Sequence, residues 1–173
     1  MGSLAALSAA IEARDPYARG HSSRVTVFAQ AMARRIGLDK ERVSVLRLSA
    51  LLHDVGKLAV PPAVLLKGGP LDETELGQVR RHPSAGVRML RSLGAPREIL
   101  PAVLHHHERW DGAGYPGGRS GDRIPLEARI LAIADSFHSG PRWSLAARPG
   151  ASVLLSGRAL ADEPWRGRTW TRE

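Results

Sequence analysis

The sequence contains no cysteine among its 173 residues. Disulfides, thiolate zinc sites and cysteine nucleophiles are therefore excluded, and any metal site must use nitrogen and oxygen ligands. Long apolar runs are also missing. The longest candidate, residues 48–66, is broken by His53, Asp54, Lys57 and two prolines, so no run reaches the roughly 20 apolar residues of a membrane span. The N-terminus lacks the pattern of a signal peptide. We expect a cytoplasmic protein without a membrane span.

Lysine is scarce, although the chain is strongly basic. It has 25 basic residues and a formal net charge of +8 at pH 7, and its only lysines are Lys40, Lys57 and Lys67. The arginines are spread along the chain and form no basic block, which favours solvated faces over a nucleic-acid surface. We therefore predict no DNA partner. A chain of this length forms one core and, by default, one domain.

Strands with alternating apolar and polar residues are not evident, and the sequence predicts an all-α fold. Apolar residues recur at helical spacing, Asp39 and Asp72 stand at N-cap positions, and Pro83 predicts a kink or break. His53 and Asp54 are expected on a buried central helix that the prolines at 61 and 62 end. The predicted helices include residues 4–11, 25–36, 39–54, 72–90, 97–107 and 125–137.

The helical pattern ends at Phe137. Residues 138–173 contain three of the four tryptophans, scattered arginines and glycines, and only a weak apolar patch at 153–155. Such a composition favours irregular structure. We predict a domain over residues 1–137 and a divergent or frame-shifted C-terminal tail over 138–173.

His53 and Asp54 are adjacent in the apolar segment LLHDVGK. A buried polar group without a partner costs roughly 1 to 3 kcal/mol, so these side chains need one. A single His–Asp pair is more simply explained as a hydrogen-bonded pair. Four further segments, however, carry the same donor types on predicted helices: His21, His82, the run 105–107, and Asp135. Together they predict a histidine/aspartate metal centre, with iron, manganese, nickel, cobalt or zinc left open.

Four motifs occur in a characteristic order: LLHDVGK, then HP at 82–83, then HHERWDGAGYPGG, then IPLEARILAIAD. They resemble the HD-GYP family, bacterial metal-dependent phosphodiesterases of the HD phosphohydrolase superfamily that hydrolyse cyclic di-GMP. The resemblance runs from about Leu4 to Phe137. It implies an HD-domain helical bundle with a glycine-rich loop at 111–118, the GYP loop. It also implies hydrolysis to the linear dinucleotide and/or GMP through a metal-bridging hydroxide.

The resemblance further implies the metal ligands. Asp54 is expected to bridge two divalent cations, Fe or Mn, whereas His105 is not expected to be a ligand. His21 is left open as a ligand or a supporting group, because Tyr17 replaces a glutamate found in three-metal members. The expected ligands are His53, Asp54, His82, His106, His107 and Asp135.

Substrate contacts follow from the same resemblance. Lys57 is expected beside a substrate phosphate and, with Asp54, to take part in catalysis; a lysine at a helix end is the alternative. Arg109 is expected to contact phosphate or guanine, with a surface salt bridge to Glu108 or Asp111 as the alternative. Further substrate contacts are expected from the GYP loop, at Asp111, Gly114, Tyr115 and Pro116.

Two other functions stay open at this stage. One is a catalytically silent HD-GYP module that binds signalling partners, such as diguanylate cyclase domains, through the GYP loop. The other is an HD phosphohydrolase for a different nucleotide. The full set of histidines and aspartates argues against the first, and the divergent C-terminus argues for it. The generic HD chemistry favours the second, and the complete HHERWDGAGYP motif argues against it.

Overall fold

The computed structural model describes residues 6, 7, 10, 13 and 20–143, with side chains up to residue 138. Over this range the chain contains no strand, and the all-α prediction is confirmed. Short 3₁₀ turns cover Val55–Ala59, Arg97–Ile99 and Gly121–Arg123. The α-helices of the described range are α1 (His21–Arg35), α2 (Lys40–Leu52), α3 (Pro62–Leu65), α4 (Glu73–Arg80), α5 (His82–Ser92), α6 (Leu100–His105) and α7 (Leu126–Trp143).

Helix ends agree with the capping residues in the sequence. The Asp39 carboxylate accepts a hydrogen bond from the Arg42 amide at 2.8 Å. Asp72 forms a reciprocal capping box with Glu75, in which each side chain accepts a hydrogen bond from the other's amide. The break predicted near Pro83 is confirmed, because α4 ends at Arg80 and α5 begins at His82.

Two of the three apolar clusters in the described range join the longer helices. In the first, Val25 and Ala29 of α1 pack with Leu46 of α2 and Leu131 of α7. The second joins the end of α2 to α5 and α6. Complete burial of a leucine contributes roughly 1.5 to 3 kcal/mol, and Leu46 and Leu131 are both fully buried. The two clusters meet along α2 and leave the polar site between α2, α5, α6 and α7.

Two predicted helices end earlier than the sequence pattern indicates. Helix α2 ends at Leu52, so His53 is its C-terminal cap and Asp54 leads into the 3₁₀ turn. The physical reason is the close approach of Gly56 to α5, where an added Cβ would lie 1.8 Å from the His82 carbonyl oxygen. Helix α6 ends at His105, so the other two histidines of the run follow the helix.

Several predictions fall at the ends of the chain. Helix α7 continues past Phe137 to Trp143. Residues 6, 7, 10 and 13 are helical, whereas Leu4, Ile11 and Tyr17 lie outside the described residues. The same holds for 144–173, so the irregular tail stays a prediction. Among the helices of the described range, none has the length and apolar character needed to span a membrane.

Candidate metal centre

Histidine and aspartate side chains from distant parts of the sequence converge between the helices. The donor atoms of Asp54, His82, His106 and His107 all lie within 4.8 Å of one another. The donor atoms of His21, His53 and Asp54 form a second group of the same kind. Asp54 is the one residue common to both groups. The centre therefore has two halves joined by a carboxylate.

Three of these imidazoles are held in the same way. Each places Nδ1 2.8 Å from the main-chain carbonyl three residues earlier: His53 on Ala50, His82 on Val79 and His106 on Val103. Since a carbonyl oxygen only accepts, Nδ1 carries the proton and donates it. In the neutral ring this leaves a lone pair on Nε2, which is the arrangement of a metal-binding histidine whose other nitrogen is fixed by the protein.

The Nε2 atoms of these rings lack satisfactory partners. Those of His82 and His106 lie only 3.3 Å apart, and two neutral rings held by Nδ1 have no proton to share between them. The buried Nε2 of His53 makes no hydrogen bond within the described part of the chain. Asp54 Oδ2 lies 3.3 Å from this nitrogen. A divalent cation accepts such lone pairs, so the donor set fits a metal centre.

The protonation states suit metal binding by the first group. Burial, reinforced by the neighbouring His107, lowers the pKa of His82 to about 3. Burial also lowers the pKa of His107 to about 4, although Asp135 and Asp54 oppose the shift, and it holds the pKa of His106 well below the usual range. At neutral pH these imidazoles are uncharged and able to act as ligands.

Asp54 directs one carboxylate oxygen to each half of the centre. Oδ1 lies 3.3 Å from His82 Nε2, and Oδ2 lies 3.3 Å from His53 Nε2 and 2.6 Å from Lys57 Nζ. Burial alone raises the pKa of Asp54, but His53 and Lys57 bring it well below its usual range. Burial lowers the pKa of His53, and Asp54 and Asp135 together raise it to about 9. Without a cation, the His53 ring would therefore carry a second proton, on Nε2, at neutral pH, and a bound metal would displace that proton.

Asp135 and His21 complete the second half. Asp135 Oδ1 lies 3.1 Å from His21 Nε2 and 3.9 Å from His53 Nε2. Burial raises the pKa of Asp135, but the bond to His21 and the charge of His53 keep it well below its usual range. Helices α1 and α7 thus bring an imidazole and a carboxylate to the side of His53. The structure brings together the six predicted ligands and His21.

His105 pairs with Glu108 and not with the candidate ligands among the described residues. Its Nδ1 lies 3.2 Å from Glu108 Oε1, and it belongs to neither donor group. That the first histidine of the run is not a ligand stays a prediction.

Arg109 pairs with Asp111, which was the alternative left open by the sequence. Arg109 Nε lies 3.0 Å from Asp111 Oδ1, and a second nitrogen of the guanidinium contacts the other oxygen. Asp111 also accepts a hydrogen bond from the Ala113 amide at 3.0 Å and is 52% exposed. Both side chains therefore shape the start of the GYP loop, and their contact with substrate stays a prediction.

Tyr115 covers one of the candidate ligands. Its ring stacks on His107 with centroids 4.9 Å apart and an interplanar angle of 24°. Its amide donates to the His107 carbonyl at 3.1 Å. The hydroxyl is buried without a hydrogen-bond partner among the described residues. Burial, together with Asp54 and Asp135, raises the pKa of Tyr115, so the hydroxyl remains a donor at neutral pH.

Gly114 and Pro116 lie on either side of this tyrosine. An added Cβ at Gly114 would lie 2.3 Å from the Arg109 nitrogen, so glycine is needed there for the close approach of two backbone segments. Pro116 is exposed and is joined to Tyr115 by a cis peptide bond.

Glu108 has a structural role that sequence reasoning missed. Its fully buried side chain accepts hydrogen bonds from the amides of Gly117 at 2.8 Å and Arg119 at 2.9 Å. The sequence suggested it only as a partner of Arg109. One feature of the sequence indicates this role: Glu108 lies between a histidine run and a glycine-rich loop, and the main-chain amides of such a loop need acceptors.

Comparison with known proteins agrees with this architecture. A profile described as the HD domain matches residues 5–152. The chain is 41% identical over 162 residues to the cyclic di-GMP phosphodiesterase response regulator RpfG of Xanthomonas campestris, covering 91% of this chain and 41% of that protein. It is 40% identical over 152 residues to the 3'3'-cGAMP-specific phosphodiesterase 3 of Vibrio cholerae, covering 87% and 32%. The chain thus spans about a third to two fifths of these relatives' lengths.

A solved structure supports the fold. Bd1817, described as an HDG"Y"P protein from Bdellovibrio bacteriovorus, superimposes with a TM-score of 0.59 at 22% identity, over 69% of this chain and 39% of that one. The matched profile covers most of the sequence, including every candidate ligand. The chain therefore belongs to the HD domain family, and within that family it resembles the HD-GYP proteins.

Proposed function

We propose that the chain is a metal-dependent phosphodiesterase that hydrolyses cyclic di-GMP to the linear dinucleotide and/or GMP. One observation carries this proposal: Asp54 belongs to both donor groups and turns one oxygen toward each. A carboxylate shared by two sets of ligands is the arrangement that a two-metal phosphodiesterase needs. The names of the relatives support a cyclic dinucleotide as the substrate class.

The residues present fit two divalent cations, which we propose to be Fe or Mn. Asp54, His82, His106 and His107 would hold the first, and His53, Asp54 and Asp135 would hold the second, with His21 beside Asp135. When bound, two such cations supply a water of lowered pKa and offset the charge of the phosphodiester.

Lys57 and Tyr115 would act on the substrate phosphate. The Lys57 ammonium lies 2.6 Å from Asp54 Oδ2 and its side chain is 14% exposed, so it adds positive charge at the edge of the centre. The hydroxyl of Tyr115 has no hydrogen-bond partner among the described residues, so it is a donor available to a phosphate oxygen. Charge and donors fixed in place before the reaction stabilise the negative charge that develops on the transferred phosphoryl group.

The GYP loop would line the substrate. We propose that Arg109 and Asp111 contact the nucleotide as a pair, while Gly114 and Pro116 set the loop's path. A diguanylate cyclase domain or another signalling protein that docks on the same loop is a further part of this proposal. It is supported by the exposure of Asp111, Ala113 and residues 116–119.

A second candidate substrate has an observation in its favour. The relative from Vibrio cholerae is named for 3'3'-cGAMP, and its identity to this chain is nearly that of RpfG. The two substrates share the phosphodiester ring and differ in one base. Discrimination between them would therefore depend on contacts to the bases and not on the metal centre.

The test is a measurement of metal content and hydrolysis on the same samples. The protein would be purified anaerobically, loaded separately with Fe(II) and Mn(II), and assayed with cyclic di-GMP, 3'3'-cGAMP and cyclic di-AMP. We expect about two metals per chain and fastest turnover of cyclic di-GMP. Asp54→Ala is the negative variant. Asp122→Asn is its matched control, because Asp122 is 87% exposed and pairs only with Arg129 among the described residues.

The outcomes separate the candidate functions. Metal without turnover of any cyclic dinucleotide would contradict the enzyme proposal, and absence of bound metal would favour a catalytically silent module. Faster hydrolysis of 3'3'-cGAMP would change the substrate and keep the chemistry. Retained turnover in Asp54→Ala would refute the shared carboxylate.

A further inference from the structure

We infer that Glu108 is a positioning residue that fixes the GYP loop so that Tyr115 lies against His107. The inference has a geometric part, the anchoring of the loop by a buried carboxylate. Its catalytic part, a contribution to substrate binding through Tyr115, rests on the proposed function. The two parts are tested by different measurements.

At the end of the GYP loop, two main-chain amides donate to the Glu108 carboxylate and not to main-chain carbonyls. Oε1 accepts the Gly117 amide at 2.8 Å, and Oε2 accepts the Arg119 amide at 2.9 Å. Within the described part of the chain, the loop's ladder-like pairing is limited to an isolated bridge between Asp111 and Ser120. A buried carboxylate needs hydrogen bonds of this kind, and bonds from amides to a charged acceptor are stronger than neutral ones.

The loop is fixed on both sides of Tyr115. On the N-terminal side, Gly114 packs directly on the backbone of residues 108 and 109, where an added Cβ would lie 2.5 Å from the Glu108 Cα. On the C-terminal side, the Glu108 carboxylate holds Gly117. Between them, the Tyr115 ring stacks on His107 at a centroid distance of 4.9 Å. Because the backbone is fixed on both sides of Tyr115, its ring is held against the His107 imidazole.

Glu108 acts through the loop and not as a metal ligand. It belongs to neither donor group. Both of its oxygens accept hydrogen bonds from main-chain amides, and Oε1 also lies 3.2 Å from His105 Nδ1. The isosteric Glu108→Gln keeps one acceptor oxygen but turns an amide NH₂ toward a main-chain N–H, so one loop amide loses its partner. This variant weakens the anchor without altering the size of the side chain.

Hydrogen exchange tests the geometric part without any assay of activity. In Glu108→Gln we expect at least one of the Gly117 and Arg119 amides to exchange roughly tenfold faster or more, because each is protected by its bond to one carboxylate oxygen and glutamine keeps only one acceptor. Peptides from α2 should keep their protection, which shows that the core is folded. Asp122→Asn is the matched control, since it removes an exposed acid in the same region and should leave both amides unchanged.

A double-mutant cycle tests the catalytic part. We expect Glu108→Gln to raise KM about tenfold or more with metal content unchanged, and Tyr115→Ala to raise KM as well. If Glu108 acts through Tyr115, the double variant should match Tyr115→Ala alone. A general loss of stability would instead lower the active fraction and leave KM unaltered. Gly117→Ala provides a second variant, because its Cβ would lie 3.1 Å from Glu108 Oε1 and crowd the same anchor.

Several results would overturn the inference. Unchanged exchange at Gly117 and Arg119 would refute the anchor. Additive effects of Glu108→Gln and Tyr115→Ala on KM would refute the route through Tyr115, and loss of metal in Glu108→Gln would assign the residue to the support of His107 instead. If the wild-type chain hydrolyses no cyclic dinucleotide, the proposed function fails, while the exchange experiment still decides the anchor.

Discussion

His82 and His106 face each other with their Nε2 atoms 3.3 Å apart, although they lie 24 residues apart in the sequence. Each ring gives its Nδ1 proton to the carbonyl three residues earlier. Two lone pairs are thereby held together in a buried site, an arrangement that costs free energy unless a cation lies between them. This unfavourable free energy would be offset by a cation bound between the two nitrogens.

Metal binding should therefore stabilise the whole domain. At a free metal concentration of about 100 times the dissociation constant, linkage predicts about 2.7 kcal/mol of added stability, which for a chain of this size corresponds to a Tm increase of roughly 5 to 11 °C. Thermal unfolding of the full chain with Mn(II) and with a chelator measures this difference. Asp54→Ala should lose most of the increase, and an equal shift in both proteins would show that the metal binds elsewhere.

The position of His21 predicts a partial loss of metal. His21 belongs to the donor group of His53 and Asp54 and pairs with Asp135 at 3.1 Å. We expect His21→Ala to lower the metal content from about two to about one per chain, because one half of the centre retains all its donors. His105→Ala is the matched histidine control and should leave metal content unchanged. Full occupancy in His21→Ala would make His21 a supporting group only.

Many of the candidate ligands could be predicted from the sequence, because histidine and aspartate are recognisable as metal-binding residue types. Histidines and aspartates in apolar helical segments need partners, and the predicted set converges. The turn after Leu52 was not predictable, because it depends on the contact of Gly56 with the His82 carbonyl, far away in the sequence. The role of Glu108 could not be predicted either, because it too depends on contacts with the main chain. Its partners are main-chain amides nine and eleven residues away, which leave no periodicity in the side chains.

The contact between Gly56 and α5 predicts a large effect of one methyl group. In Gly56→Ala the Cβ would lie 1.8 Å from the His82 carbonyl oxygen and 2.5 Å from the Gly86 nitrogen, so α5 must move. We expect a loss of about 3 kcal/mol or more in the free energy of unfolding, with reduced metal content because His82 moves too. Urea unfolding measures the first.

Gly77→Ala is the matched control for this substitution. Gly77 lies inside α4, and nothing is within 4 Å of an added Cβ. Alanine in a helix interior is favoured over glycine by roughly 1 kcal/mol, so this variant should be slightly stabilised. Equal unfolding midpoints for Gly56→Ala and the wild type would contradict the close packing of the turn on α5.

Tyr115→Phe separates a functional hydroxyl from a structural one. The hydroxyl is buried and has no hydrogen-bond partner among the described residues, so its removal breaks no bond within them. Replacing a partnerless polar group with an apolar one is neutral or stabilising, and we expect an unchanged or higher unfolding midpoint. Metal content should also be unchanged, because the ring that covers His107 is retained.

In Tyr115→Phe we expect activity to fall while stability is unchanged or higher. If the Tyr115 hydroxyl donates to a phosphate oxygen, its loss removes a hydrogen bond to a charged group worth roughly 1.5 to 3 kcal/mol, and kcat/KM should fall about 10- to 100-fold. Steady-state kinetics on the metal-loaded variant measure this. A variant that is as stable as the wild type and equally active would show that the hydroxyl plays no part in catalysis. A variant that is both inactive and unfolded would show that the hydroxyl has a structural partner, since a group without one cannot hold the fold together.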